Sequence, residues 1–276
     1  MRIDSHQHFW TYSAAAYPWI GQGMERLARD YLPPDLAPLL AAEAIDGSVA
    51  VQARQSVEES RWLLHLASTH PLVKGVVGWV DLRSDQVGDD LEALAADPKF
   101  VGVRHVVQDE PDPRFVLGEV FLRGLRQLGR HGLTYDLLLY PHQLPAAIEL
   151  VALLPDQPFV VDHLAKPRIA TGEIAGWEQD IRAIARHANV CCKVSGMVTE
   201  AVRRGWKQSD FAPYLDVVLE AFGPERLMVG SDWPVCLLAG EYADVAAIPR
   251  EYFAGLSSAE RALIHGGTAT RFYGLT

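Results

Sequence analysis

The chain opens Arg2-Ile3-Asp4-Ser5-His6-Gln7-His8-Phe9-Trp10, and the rest of the sequence is read outward from this stretch. Taken as a strand, it puts His6 and His8 on one face, because strand side chains alternate with period two. Two imidazoles held side by side on a stiff strand converge on one cation or one polarised oxygen. A bare His-x-His also fits an exposed edge strand, so its weight depends on the residues that other parts of the chain bring to it.

Beyond Trp10 the chain alternates. Short apolar runs at 47–53, 73–82, 100–107, 133–140, 158–164, 189–196 and 226–235 join the opening strand to make eight. Helical stretches at about 34–44, 56–69, 89–96, 118–129, 143–154, 176–188 and 210–221 separate them, and a helical region closes the chain. Runs that are apolar throughout are what strands covered on both faces look like. Eight βα units predict a (β/α)8 TIM barrel, one domain over residues 1–276, near the size typical of that fold. An open doubly wound sheet is disfavoured, because no glycine-rich phosphate loop follows the first strand. The segment from Thr11 to Pro34, with Tyr12, Tyr17 and Trp19, is too long for a tight turn. It reads either as a lid that touches substrate or as padding on the barrel rim.

A formal charge of −10 argues against nucleic acid or an anionic membrane as partner. The first residues lack a basic-then-apolar leader, and no apolar run is long enough to span a bilayer. Cys191, Cys192 and Cys236 make no disulfide framework, which points to a cytoplasmic setting.

The polar residues fall at strand ends: His6 and His8, Gln52 with Arg54, Asp81, Arg104 and His105, His142, Asp162 and His163, Lys193 and Ser195, Ser231 and Asp232. In a barrel these ends meet on one face. Singly, each has a plain structural reading: Lys193 and Asp162 as paired core ions, His163 as a bonded core histidine, Asp232 as a cap. Together they are costly to bury unless they bind something. Asp232, at the tip of Leu227-Met228-Val229-Gly230-Ser231-Asp232-Trp233-Pro234, suits a proton acceptor beside a cation or a histidine. His163 suits a metal ligand or a neutral polariser of a carbonyl.

These motifs resemble the amidohydrolase superfamily. The matching stretches are Asp4–Trp10, Val51-Gln52-Ala53, Gly102-Val103-Arg104-His105, Asp162-His163-Leu164-Ala165-Lys166-Pro167, Lys193-Val194-Ser195-Gly196 and Gly230–Pro234. More narrowly, they are similar to its branch of sugar-lactone hydrolases, which includes L-fuconolactonase and L-rhamnono-lactonase. The resemblance implies hydrolysis of an aldonolactone, with L-fucono-lactone the leading substrate, to the open sugar acid. By it, His6 and His8 match the first-strand ligand pair, His163 the sixth-strand histidine, and Asp232 the eighth-strand ligand and proton acceptor. The chain departs from binuclear members where the fourth strand ends in Arg104-His105 and the fifth in Tyr140-Pro141, with His142 beyond. Two metals are therefore not expected. One zinc-like divalent ion on His6, His8 and Asp232, with His163 as a further ligand, and a metal-free site both stay open.

The expected chemistry has Asp232 taking a proton from water while the histidine side polarises the lactone carbonyl. Gln52, Arg104, His105, His142, Lys166 and Trp233 are the candidates for holding sugar hydroxyls and the product carboxylate. The competing readings are ester or amide hydrolysis or metal-assisted decarboxylation on the same scaffold, and a non-catalytic sugar-acid binding barrel. The expected partner is a small sugar lactone, with homo-oligomerisation left open.

Overall fold

The computed structural model describes residues 1–276. Its centre is one sheet of eight parallel strands in sequence order: β1 (Ile3–Gln7), β2 (Gly47–Val51), β3 (Val73–Gly78), β4 (Phe100–Val106), β5 (Thr134–Leu138), β6 (Phe159–Val161), β7 (Val190–Val194) and β8 (Leu227–Val229). The sheet is drawn nearly closed beyond β8, where Asp232 N donates to His6 O at 2.8 Å and His8 N to Trp233 O at 2.7 Å. Helices follow the strands: α1 (Pro33–Ala42), α2 (Val57–Thr69), α3 (Val87–Ala95), α4 (Glu119–Leu125), α5 (Leu144–Leu153) and α6 (Ala175–Ile184). A short α7 (Met197–Glu200) precedes α8 (Gln208–Phe222), and α9 (Tyr242–Tyr252), α10 (Ser258–Ala262) and α11 (Thr268–Tyr273) end the chain. The single (β/α)8 barrel expected from the alternation is the observed fold. No helix is long and apolar enough to cross a membrane.

Local chemistry accounts for the elements. Ser56 accepts from Glu59 N at the start of α2, satisfying one of the free amides there. Trp177, Ile181 and Ile184 recur at helical spacing and are the buried face of α6, while Arg182 and Glu178 pair at 2.9 Å one turn apart. The barrel floor is apolar: Val49, Val77, Val101, Val160 and Met228 pack with Tyr273 and Leu275 from the end of the chain, which plug the barrel from below.

Two irregularities aim the interior. Asp4 opposes Ser48 while Gln7 opposes Ala50, so β1 carries one extra residue and its facing parity flips. Asp4 thus looks outward and accepts from Tyr242 Oη at 3.0 Å and Ser231 N at 2.8 Å, whereas His6 and His8 look in. On β4, Val76 opposes Phe100 and Val77 opposes Gly102, with the same effect: Arg104 faces the barrel axis. The sixth and eighth strands stop at Val161 and Val229, short of the apolar runs at 158–164 and 226–235. Beyond them the backbone turns left-handed at His163, Leu164, Ala165, Lys166 and Asp232, which no strand accommodates. The segment after Trp10 pads the rim. Trp10, Tyr17, Trp19 and Tyr31 pack ring on ring, Tyr31 abuts Trp233, and Tyr17 Oη donates to the buried Glu59 at 3.0 Å.

Candidate active site

At the C-terminal mouth of the barrel, strands β1, β6 and β8 deliver His6, His8, His163 and Asp232 to one point. His6 Nε2 lies 3.2 Å from His8 Nε2 and 3.9 Å from Asp232 Oδ1. His8 Nε2 is 3.3 Å from the same oxygen and His163 Nε2 3.9 Å. Two glycines permit this crowding. A Cβ on Gly230 would meet His6 Cβ at 2.6 Å, so β8 approaches β1 this closely only with glycine there. Gly196, at φ +62°, would put a Cβ 2.4 Å from His163 Nδ1. Asp232 itself is held at φ +56°, and four consecutive residues from His163 to Lys166 at φ +50° to +57° swing the imidazole off the strand end. Left-handed non-glycine backbone costs of order 1 kcal/mol or more per residue, and strain of that kind concentrates at functional sites.

Beneath the four lies a layer of buried ions. Lys193 Nζ sits 2.5 Å from Asp136 Oδ2, 2.9 Å from Asp162 Oδ1 and 3.2 Å from His6 Nδ1. Arg104 donates to Asp162 Oδ2 at 3.0 Å, to Gln52 Oε1 at 2.8 Å and to Gln52 O at 2.5 Å. Tyr273 Oη, rising from the floor, bonds Asp136 at 2.9 Å. Ser195 Oγ meets His163 Nδ1 at 2.9 Å, and His8 Nδ1 donates to Val51 O at 2.8 Å, which turns His8 Nε2 toward the site.

Burial sets the protonation. It drives His163 down to about 4, with Asp232 and Asp162 pulling the other way, and drives His6 well below the ordinary histidine range. Both rings are neutral at pH 7. Burial pushes Asp232 up, but the imidazoles of His163, His8 and His6 outweigh it and hold the carboxyl well below its usual range. Asp162 is likewise kept ionised against burial, chiefly by Lys193. Asp136, buried and near Asp162, is pushed up to about 6.

The other candidates separate. Gln52 and Arg104 are buried in the ion layer, and Gln52 Nε2 has no partner within the protein. His142 and Lys166 stand on the wall of a cavity of about 590 Å³ beside the site, together with Tyr140, Trp177 and Glu200. His105 turns away from the axis, stacks on Phe115 at 4.9 Å and bonds Glu110 at 2.7 Å. Adjacent strand residues face opposite sides, so Arg104 and His105 cannot both point inward. The Trp233 ring is packed against Phe9 and Tyr31, in the core and not on the cavity. Asp136 and Glu200 were not among the sequence candidates. Asp136 had a signal, a lone carboxylate inside the apolar run Leu133–Tyr140, while Glu200 had none.

The donor set fits one cation. His6, His8 and Asp232 offer ligand atoms that all lie within 4.8 Å of one another. Two Zn–N bonds of ~2.0–2.1 Å at a tetrahedral angle span roughly 3.3 Å, close to the observed separation of the two Nε2 atoms. The alternative group, His6, Asp162 and His163, fits poorly, because Asp162 is already committed to Lys193 and Arg104.

Comparison with known proteins gives a consistent result. A family model described as amidohydrolase matches residues 3–275. An L-fucono-1,5-lactonase of Burkholderia multivorans is 46% identical over 100% of this chain and 96% of its own length. A second L-fucono-1,5-lactonase, from Burkholderia ambifaria, is 38% identical over 99% of this chain and 95% of its own. A solved amidohydrolase of Burkholderia multivorans with bound zinc superposes with TM-score 0.94 at 46% identity, covering 100% of both chains.

Proposed function

The chain belongs to the amidohydrolase family, and from that premise we propose that it is a lactonase opening L-fucono-lactone to the sugar acid. The observation that carries this reading is the convergence of three imidazoles on one ionised carboxylate, in a chain that aligns end to end with two L-fucono-1,5-lactonases.

Asp232 acts first as a base. Its Oδ1 removes a proton from water as the water oxygen bonds to the lactone carbonyl carbon, and the carbonyl oxygen becomes an oxyanion. Arg104 Nη1, which stands 3.3 Å from His6 Nε2, is a fixed donor that favours that oxyanion without any reorganisation. Collapse breaks the ring C–O bond, and the departing oxygen takes the proton back from Asp232. His163, neutral at pH 7 and steadied by Ser195, orients the carbonyl. One zinc-like ion held by His6, His8 and Asp232 supplies, when bound, polarisation of the carbonyl and a more acidic water.

The sugar occupies the neighbouring cavity. Its wall carries Glu173, Asp180 and Glu200 against Lys166 and Arg168, a mixture that suits a neutral polyhydroxy ring better than a dicarboxylate. Gln52 is not on that wall: it lies in the ion layer, where Arg104 holds one end of its amide and Nε2 has no partner within the protein.

A panel of L-fucono-, L-rhamnono-, D-galactono- and L-arabinono-lactones, followed by acid release, tests the assignment. L-Fucono-lactone is expected to turn over fastest. Asp232→Asn should lose about 10²–10⁴-fold in kcat with folding retained. Carbon dioxide release from aromatic acids in place of acid release from lactones would replace hydrolysis with decarboxylation.

A further inference from the structure

His6 is a ring with one lone pair and two cations aimed at it. Lys193 Nζ approaches Nδ1 at 3.2 Å and Arg104 Nη1 approaches Nε2 at 3.3 Å. Ammonium and guanidinium groups only donate, so a neutral imidazole satisfies one of them and presents an N–H to the other. Each tautomer has its own second partner. With the proton on Nε2, His6 points that N–H at His8 Nε2, 3.2 Å away, and accepts from Lys193 at Nδ1. With the proton on Nδ1, it donates toward Asp162 Oδ1 at 3.4 Å and accepts from Arg104. Asp162 Oδ1 stands ready for that role. It is buried, ion-paired with Lys193 at 2.9 Å but off the line of a hydrogen bond, and it accepts none.

We propose that the buried chain Tyr273–Asp136–Lys193 selects the tautomer of His6, holding its proton on Nε2 until a cation between His6 and His8 forces it to Nδ1 and onto Asp162. This rests on the reading of His6 and His8 as a cation site. A ligating Nε2 must give up its proton, and a ligating imidazole keeps its other N–H on an acceptor. Lys193 therefore works against the cation and Asp162 works for it. The position of Lys193 is fixed from below: Asp136 holds the ammonium at 2.5 Å and is itself held by the hydroxyl of Tyr273 at 2.9 Å. All three are buried, Lys193 and Asp136 at 0% side-chain exposure, so water does not screen the contact between them. The last helix of the chain thereby acts on the first strand's histidine as a positioning element, without touching substrate.

The test is the ¹⁵N spectrum of histidine-labelled protein stripped of metal at pH 8, with the His6 signals assigned by their loss in His6→Asn. Protonated and lone-pair ring nitrogens resonate far apart. The wild-type chain is expected to carry the proton on Nε2, and Lys193→Met to carry it on Nδ1. Zinc affinity in a chelator competition should rise about tenfold in Lys193→Met, the scale on which partners of metal-binding histidines act. Lys193→Met leaves the buried Asp136 without its cation and Asp162 with Arg104 alone, and is at risk of misfolding, so Tyr273→Phe provides the milder version. Without its hydroxyl, Asp136 draws Lys193 off His6, moving tautomer and affinity the same way by a smaller factor. A proton on Nδ1 in stripped wild-type protein, or tautomer and affinity unchanged in the folded variants, overturns the proposal. Failure of the protein to bind zinc at all, with the tautomer results as expected, would instead overturn the cation site and leave the tautomer selection standing.

Discussion

Gly196→Ala is the most searching small perturbation of the site. The added methyl would lie 2.4 Å from His163 Nδ1 and 2.6 Å from Cγ, where ordinary contact begins at 3.4 Å. The ring must therefore retreat by roughly 1 Å, on the same edge that meets Ser195 Oγ at 2.9 Å. The backbone at φ +62° adds the left-handed penalty of ~1–2 kcal/mol. Overpacking adds about 1–3 kcal/mol, so urea unfolding should show a loss of ~2–5 kcal/mol. Gly132→Ala is the control, because it has φ +66° and no atom within 4 Å of the new methyl, and it should lose only the backbone part. A displacement of 1 Å in a positioning group can cost on the order of 10²-fold in rate. Lactone kcat should fall by that order in Gly196→Ala and stay near wild type in Gly132→Ala. If Gly196→Ala loses stability yet keeps kcat within about threefold, His163 has no part in the chemistry. If the two variants lose equal stability, the steric reasoning at Gly196 is wrong.

Three further outcomes rest on the same geometry. His163 has a folded pKa of about 4, below its unfolded value, so its contribution is present above pH 6.5 and is lost as pH falls toward 4. Urea midpoints should drop across that window by the equivalent of about 3 kcal/mol, and a flat profile between pH 6.5 and 4 would contradict a buried neutral imidazole. Glu200→Gln, on the cavity wall, should raise KM about tenfold with kcat nearly unchanged, the effect of one weakened charge-assisted hydrogen bond to a sugar hydroxyl, as steady-state kinetics would report. Chelation should remove most lactone turnover and added zinc restore it, with metal content followed by elemental analysis; full rate in a verified metal-depleted sample would take the ion out of the reaction.

The barrel was legible because burial on both faces leaves a continuous apolar signature, and eight such runs fit only a few architectures. The lengths of those runs were less informative. Val161 and Val229 end strands in the middle of apolar segments, and nothing in Leu164 or Ala165 announces a left-handed turn. That conformation is imposed by where His163 must sit, and tertiary demands override local preference there. Asp162 and Lys193 were readable as a core ion pair from their opposite charges in apolar strands, and they do pair, at 2.9 Å.

Facing parity marks the deeper limit. His6 and His8 share a face by the period of two, but Asp4, two residues earlier, does not, because β1 slips by one residue between them. Arg104 and His105 pose the same difficulty: the one-residue slip on β4 decides which of two plausible site residues looks inward, and it chooses the arginine. A bulge has no sequence motif of its own; it is the solution to packing strands of unequal length around a closed ring. The residues that such a slip turns inward are therefore better identified by charge balance than by spacing. Around the axis, Lys193 and Arg104 face Asp136, Asp162 and Asp232, two cations against three carboxylates, with His6 and His163 kept neutral by burial. The negative excess lies where His6, His8 and Asp232 meet, which is where a cation held by those three side chains would offset it.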